Sequence, residues 1–75
     1  MRVYQVKLNS VDDVKEFVNI VGKYGYDIQL ERRGYKVDAK SIMGVLKLGF
    51  GKTITLTADT ENAVALKKDL KKYLL

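Results

Sequence analysis

Between Lys40 and Thr53 the chain reads KSIMGVLKLGFGKT, with three glycines, a Gly-Lys-Thr ending and a serine ahead of an apolar run. Glycines beside Lys-Thr are parts of a phosphate-gripping loop, which needs Gly, four residues and then Gly-Lys-Ser/Thr at the mouth of a helix. The spacing denies it. Gly51 precedes Lys52, and five positions before Gly51 stands Leu46, not a glycine. The order of elements denies it too, because the apolar run Ile42 to Leu48 comes first and the alternating run KTITLTA follows the glycines. Gly49 and Gly51 read instead as a helix end and a turn. Other reactive groups are scarce. The 75 residues include no histidine and no cysteine, which removes imidazole acid–base chemistry, phosphohistidine, thiolate or imidazole metal ligation, and disulfides. Asp12 with Asp13, or Glu31 with Asp38, could be paired as carboxylates. Adjacent helical residues diverge, however, and no nucleophile, base and orienting group converge. No catalytic residue, metal site or cofactor is expected, and the chain does not read as an enzyme.

The elements that would position Ser41 follow from periodicity. Arg2 to Leu8 alternates, with Tyr4, Val6 and Leu8 on one side, and predicts a strand. Ser10 then caps an amphipathic helix with the stripe Val11, Val14, Phe17, Val18 and Val21, ending near Gly22 to Gly25. Asp12 and Asp13 suit the positive end of its dipole. Asp27 to Arg33 is a second strand with Ile28 and Leu30 inward, and Arg33-Gly34 turns into a third, Tyr35 to Ala39. Ser41 caps a short helix from Ile42 to about Leu48. The fourth strand, Lys52 to Ala58, turns Ile54, Leu56 and Ala58 inward and Thr53, Thr55 and Thr57 outward. Thr60 caps a last helix with core positions Ala63, Leu66, Leu70 and Tyr73 or Leu74. The order is βαββαβα. Strands with one apolar and one polar face predict an α+β, open-faced sandwich: a four-stranded antiparallel sheet with its helices on one face.

Length and charge bound the rest. Residues 1–75 read as one domain with a small core. No apolar run approaches the roughly 18 residues of a membrane span, and no signal peptide is visible, so a cytoplasmic location without membrane attachment is expected. A net charge of +5 and a pI near 9.5 favour anionic partners without naming one. Lys67, Lys68, Lys71 and Lys72 recur at helical spacing and should share one face of the last helix, as a solvated stripe or as a contact for nucleic acid or an acidic protein.

KSIMGVLKLGFGK, preceded by DIQLERRGYKVDA, resembles the HPr family, the histidine-containing phosphocarrier proteins of the bacterial sugar phosphotransferase system. The resemblance covers nearly the whole chain and is most specific at Lys40 to Gly44, Lys-Ser-Ile-Met-Gly. NAVALKKDLKKYL is similar to the family's C-terminal helix. The family's carrier histidine lies before its first helix, in Gly-Leu-His-Ala-Arg-Pro. This sequence has LNSVDDVKEF there, with Ser10 near the histidine position and Asp12 near the arginine position. A serine ester would hold a phosphoryl group far more firmly than a phosphoramidate does. Asp12 and Asp13 would repel the group that the family's arginine attracts. The resemblance therefore implies a relative without phosphocarrier activity.

A second family site has a counterpart. In certain bacteria a dedicated kinase phosphorylates the serine of Ser-Ile-Met-Gly, which corresponds to Ser41. At a helix N-terminus a phosphate meets unpaired N–H groups and partial positive charge, worth about 0.3–1 kcal/mol when exposed. In the family, the side chains matching Ile42, Met43 and Leu46 form an exposed docking patch, and Val45 and Leu48 read as core. Lys40 and Lys47 flank the patch and could meet acidic groups or a phosphate, or simply be solvated. Gly44 would permit close backbone packing. The bland alternative makes Ser41 only a cap, and Ile42 and Met43 only the core's edge. The implied role is a non-enzymatic regulator or adaptor of the phosphotransferase system or carbon catabolite control. Its partners would be an HPr kinase/phosphorylase-like enzyme and a catabolite-control transcription regulator. An HPr-like domain with another protein partner is one alternative. A basic RNA-binding α+β module is another, disfavoured because the polar sheet face (Gln5, Gln29, Thr53, Thr55, Thr57) lacks stacking aromatics.

Overall fold

The four alternating segments become four strands in a computed structural model that describes residues 1–75. The elements are β1 (Arg2–Lys7), α1 (Val11–Val21), β2 (Ile28–Arg32), β3 (Tyr35–Asp38), α2 (Ile42–Lys47), β4 (Thr53–Ala58) and α3 (Val64–Asp69), followed by a 3₁₀ turn at Lys71–Tyr73. The sheet runs β1-β4-β2-β3, and every neighbouring pair is antiparallel. Register carries the period of two across the sheet. Tyr4 lies opposite Leu56, Leu56 opposite Leu30, and Leu30 opposite Val37, all on the helix-covered side. On the other side Gln5 opposes Thr55 and Thr55 opposes Glu31. Helices on one face and a polar face on the other give the expected open-faced α+β sandwich.

A cluster of 17 buried residues, all apolar or aromatic, joins the sheet's inner face to Val14, Phe17 and Val21 of α1, Val45 of α2 and Leu66 of α3. Full burial of each valine, leucine, isoleucine or phenylalanine among them contributes about 1.5–3 kcal/mol before entropy is counted. The β2–β3 hairpin turns through Arg33 (φ 52°) and Gly34 (φ 82°), the left-handed pair that matches the twist of two strands. Glycine takes that geometry freely, whereas Arg33 holds it at about 1–2 kcal/mol.

Several expectations need correction. Val11, assigned to the buried stripe, is 45% exposed, because it is the first residue of α1 and lies at the exposed end. Thr60 does not cap the last helix. Its Oγ1 accepts the Asn62 N–H at 3.2 Å, Asn62 Oδ1 accepts the Val64 N–H at 3.2 Å, and α3 starts only at Val64. Those two side-chain turns absorb the residues that a continuous pattern assigned to helix. The C-terminal segment also stops being helical early. Leu74 is extended (φ −76°, ψ 142°), Leu74 bridges Val6, and the Leu75 N–H donates to Gln5 O at 3.0 Å. The free edge of β1 draws these residues out of the helix.

Candidate functional site

Ser41 follows a tight turn that leaves β3. Its N–H donates to Asp38 O at 3.0 Å, and the Lys40 N–H donates to Asp38 Oδ1 at 2.9 Å. This turn sets Ser41 in an extended conformation (φ −104°, ψ 112°) at the N-cap of α2, where its Oγ accepts the Gly44 N–H at 3.2 Å. The residue is exposed. Its hydroxyl therefore satisfies one orphan donor of the helix while remaining open to a macromolecule. The first turn of α2 holds no carboxylate, and Lys47 sits in its last turn, favourable to the dipole.

Gly44 explains how α2 lies so close to the sheet. A Cβ there would stand 3.2 Å from Val37 Cβ and 3.4 Å from Ser41 Oγ. The missing side chain lets α2 settle on β3 and leaves room for the serine. Val45 and Leu48 are buried as expected. Ile42 (42% exposed) and Met43 (68%) lie open beside Ser41. Leu46 does not complete an exposed trio. It is half-buried and packs on the core, because a six-residue helix seated on Val45 and Leu48 rolls its neighbour into the edge.

Lys40 also departs from its expected place. Its ammonium donates to the carbonyls of Tyr24 (2.6 Å) and Tyr26 (2.9 Å), tying the turn before α2 to the α1–β2 loop. A lysine so engaged anchors structure, and only Lys47 remains as a solvent-facing cation on α2. Sequence spacing gave no hint of this, since the acceptors are backbone atoms brought close by the sheet. A second feature was missed but was visible. Lys15, Asn19 and Lys23 follow each other at intervals of four, and with Val18 and Ile42 they line an open groove between α1 and α2. It puts positive charge beside Ile42.

The position near the family histidine lies at the far end of the α1–α2 pair. Ile42 meets the C-terminal half of α1, whereas the Gly51 N–H donates to Leu8 O at 2.8 Å just before Ser10. Ser10 Oγ accepts the Asp13 N–H at 3.0 Å, and Asp13 Oδ2 accepts the Asn9 N–H at 3.0 Å. This reciprocal pair is a capping box in all but the exact donor. Ser10 and Ser41 are thus separate sites, not one.

Elsewhere the terminal lysines divide. Lys72 pairs with Glu16 at 2.5 Å, and Glu16 also accepts from the Tyr73 hydroxyl. The ammonium first, then that hydroxyl, holds the Glu16 carboxyl below its ordinary range. Burial, followed by the Glu16 contact, pushes the Tyr73 hydroxyl up. Lys67, Lys68 and Lys71 line a different surface, so the expectation of one shared face is corrected. The tighter winding after Leu70 swings Lys72 towards α1. No helix is long and apolar enough to cross a membrane.

Comparison with known proteins gives these features a context. A family model described as the PTS HPr component phosphorylation site matches residues 13–74. The match begins after Ser10 and takes in Ser41. Among solved structures, HPr-C-His from Thermoanaerobacter tengcongensis is 26% identical with a TM-score of 0.80, covering 96% of this chain and 89% of that one. The phosphocarrier protein HPr from Bacillus anthracis str. Ames is 28% identical with a TM-score of 0.76, covering 99% of this chain and 96% of that one. A sheet of order β1-β4-β2-β3, three helices on one face and a family match over most of the sequence lead to one conclusion: the chain belongs to the HPr family of phosphotransferase-system phosphocarrier proteins.

Proposed function

We propose that this protein is a non-enzymatic regulator or adaptor of the phosphotransferase system or carbon catabolite control, switched by phosphorylation of Ser41 and without phosphohistidine carrier activity. The observation that carries the reading is an exposed serine hydroxyl at the start of α2 with Ile42 and Met43 open beside it. In the reaction, Ser41 Oγ attacks the terminal phosphorus of ATP, ADP leaves, and a base of the kinase takes the hydroxyl proton. The ester oxygens can still accept the Gly44 N–H, so the cap survives and the change is one of surface charge. The kinase would be of the HPr kinase/phosphorylase type, the reader of the phosphorylated form a catabolite-control transcription regulator, and the setting the cytoplasm. Ile42 and Met43 would carry the contact, with Lys47 at its rim and Leu46 closing its inner edge.

The Ser10 end supports the loss of carrier chemistry. No histidine is present, Ser10 is committed to its cap, and Asp12 and Asp13 place two negative charges where a phosphoryl group would arrive. These carboxylates also favour a second reading, an HPr-like adaptor with a different protein partner, since they alter the surface next to the family's docking region. One experiment tests the first reading. Incubation with an HPr kinase and ATP, followed by intact-mass and peptide mass spectrometry, should add one phosphoryl group that Ser41→Ala loses. No uptake, under conditions that label an HPr with the Ser-Ile-Met-Gly serine, overturns it.

A further inference from the structure

We propose that the outer face of α3 and of the 3₁₀ turn after it, bearing Lys67, Lys68 and Lys71, is a docking surface for an acidic segment of a partner protein that carries an aliphatic side chain. Val64, Lys67 and Lys68 sit at i, i+3 and i+4 on one face of α3, and Lys71, in the 3₁₀ turn that follows, lines the same cleft. The buried stripe of the same segment is another one, Ala63, Leu66, Leu70 and Tyr73. The first stripe therefore faces solvent with Val64 75% exposed, and with Leu74 it encloses an open cleft of about 430 Å³.

The charge on this face is unbalanced. Two salt bridges occur in the protein, Met1 with Glu61 and Lys72 with Glu16, and neither involves these three lysines. Asp69 is the one carboxylate on α3, and it is turned elsewhere: the Tyr24 hydroxyl donates to its Oδ2 at 2.5 Å. Lys67 lies over the Tyr4 ring, 5.9 Å from its centroid, which orients one ammonium at the cleft's edge. Three ammonium groups around an aliphatic floor complement carboxylates flanking one apolar side chain.

Two other anionic partners fit less well. Nucleic acid is bound with stacking aromatics and arginine forks, but Tyr4 is covered by Lys67, Tyr73 is buried, and the exposed aromatics Tyr35 and Phe50 belong to other elements. A membrane surface requires clusters of about four to eight basic residues or a larger apolar face, and this cleft offers three lysines and two aliphatic side chains.

The test is two-dimensional NMR titration of the full chain with a peptide of glutamates around one leucine. Shifts should concentrate at Val64, Lys67, Lys68, Lys71 and Leu74. Replacing the peptide's leucine by serine should weaken binding, and Lys67→Glu with Lys71→Glu should weaken it at least about ten-fold. The variant's spectrum reports whether it is folded. If its spectrum shows unfolding, the milder pair Lys67→Gln and Lys71→Gln carries the same comparison, with a smaller loss expected. Lys72→Gln, which removes a lysine outside the cleft, should bind as wild type. Unchanged affinity in the double variant, shifts centred elsewhere, or tighter binding to poly(U) RNA or to phosphatidylserine vesicles than to the peptide would each overturn the proposal.

Discussion

Ser10 and Ser41 stand at the N-termini of neighbouring helices, and each accepts the N–H three residues on, from Asp13 at 3.0 Å and from Gly44 at 3.2 Å. The surroundings differ. After Ser10 come two carboxylates, one of which reaches back to the Asn9 N–H and closes the cap. After Ser41 come Ile42, Met43 and a glycine, with no carboxylate in the turn. One bond geometry thus serves two purposes. A cap backed by acidic residues is saturated electrostatically, whereas a cap followed by neutral, exposed side chains leaves the helix end available to added negative charge.

The largest expected effect comes from filling the space that α2 depends on. Gly44→Leu would meet Val37 Cβ at 3.2 Å and lift α2 from β3, with a loss of about 1–3 kcal/mol in urea unfolding. The kinase should then label Ser41 poorly, while the Ser10 cap keeps its slow amide exchange at Asp13. A normal stability for this variant would break the claim that α2 is seated by its glycine.

Next is the anchor. Lys40→Met leaves the Tyr24 and Tyr26 carbonyls without their ammonium, and because the site is partly exposed the loss should be about 1 kcal/mol. Hydrogen exchange should quicken between residues 22 and 27 and stay unchanged in the first turn of α1. The caps themselves come third. Ser10→Ala and Ser41→Ala should each lose about 0.5–1 kcal/mol, additively because they lie at opposite ends of the helix pair. Aspartate sharpens the contrast, since Ser41→Asp should be nearly neutral and Ser10→Asp, beside Asp12 and Asp13, less stable by a few tenths of a kcal/mol. Equal stabilities for the two aspartate variants would contradict the electrostatic difference.

The smallest effect is on pH dependence. Glu16 is held low by Lys72 and Tyr73, and Glu61 by the N-terminal ammonium, so what they add is complete above the ordinary 4.5 and fades as pH falls through their lowered values. Tyr24 runs the other way. The Asp69 contact pushes its hydroxyl up to about 12, so its contribution is intact below 10 and lost as pH rises through about 12. Glu16→Gln should flatten the acid limb of the stability curve and, because the Glu16 carboxylate also helps raise the Tyr73 hydroxyl, trim the alkaline limb while leaving the Tyr24 contribution in place.

Periodicity made the architecture legible, because β4 alternates throughout, Ile28 and Leu30 turn inward on either side of Gln29 in β2, and α1 keeps Val14, Phe17 and Val21 on one face. The caps Ser10 and Ser41 were legible for the same local reason: an N-cap needs only a side chain and the N–H three residues later. What spacing could not show were contacts to distant backbone. Lys40 looks like a surface lysine until β2 brings the Tyr24 and Tyr26 carbonyls to it. Leu46 looks exposed until α2 is seated on β3. Leu74 fits a helix until the edge of β1 claims it. Each miss is a tertiary partner overriding a local pattern.

The most direct measurement is a peptide-resolved map of phosphate after the chain meets two donors separately, an HPr kinase with ATP and the phosphodonor that charges the family's histidine. The account predicts acid-stable phosphate on Ser41 from the first and none from the second. Phosphate at Ser10, or an acid-labile phosphate from the second donor, would contradict it.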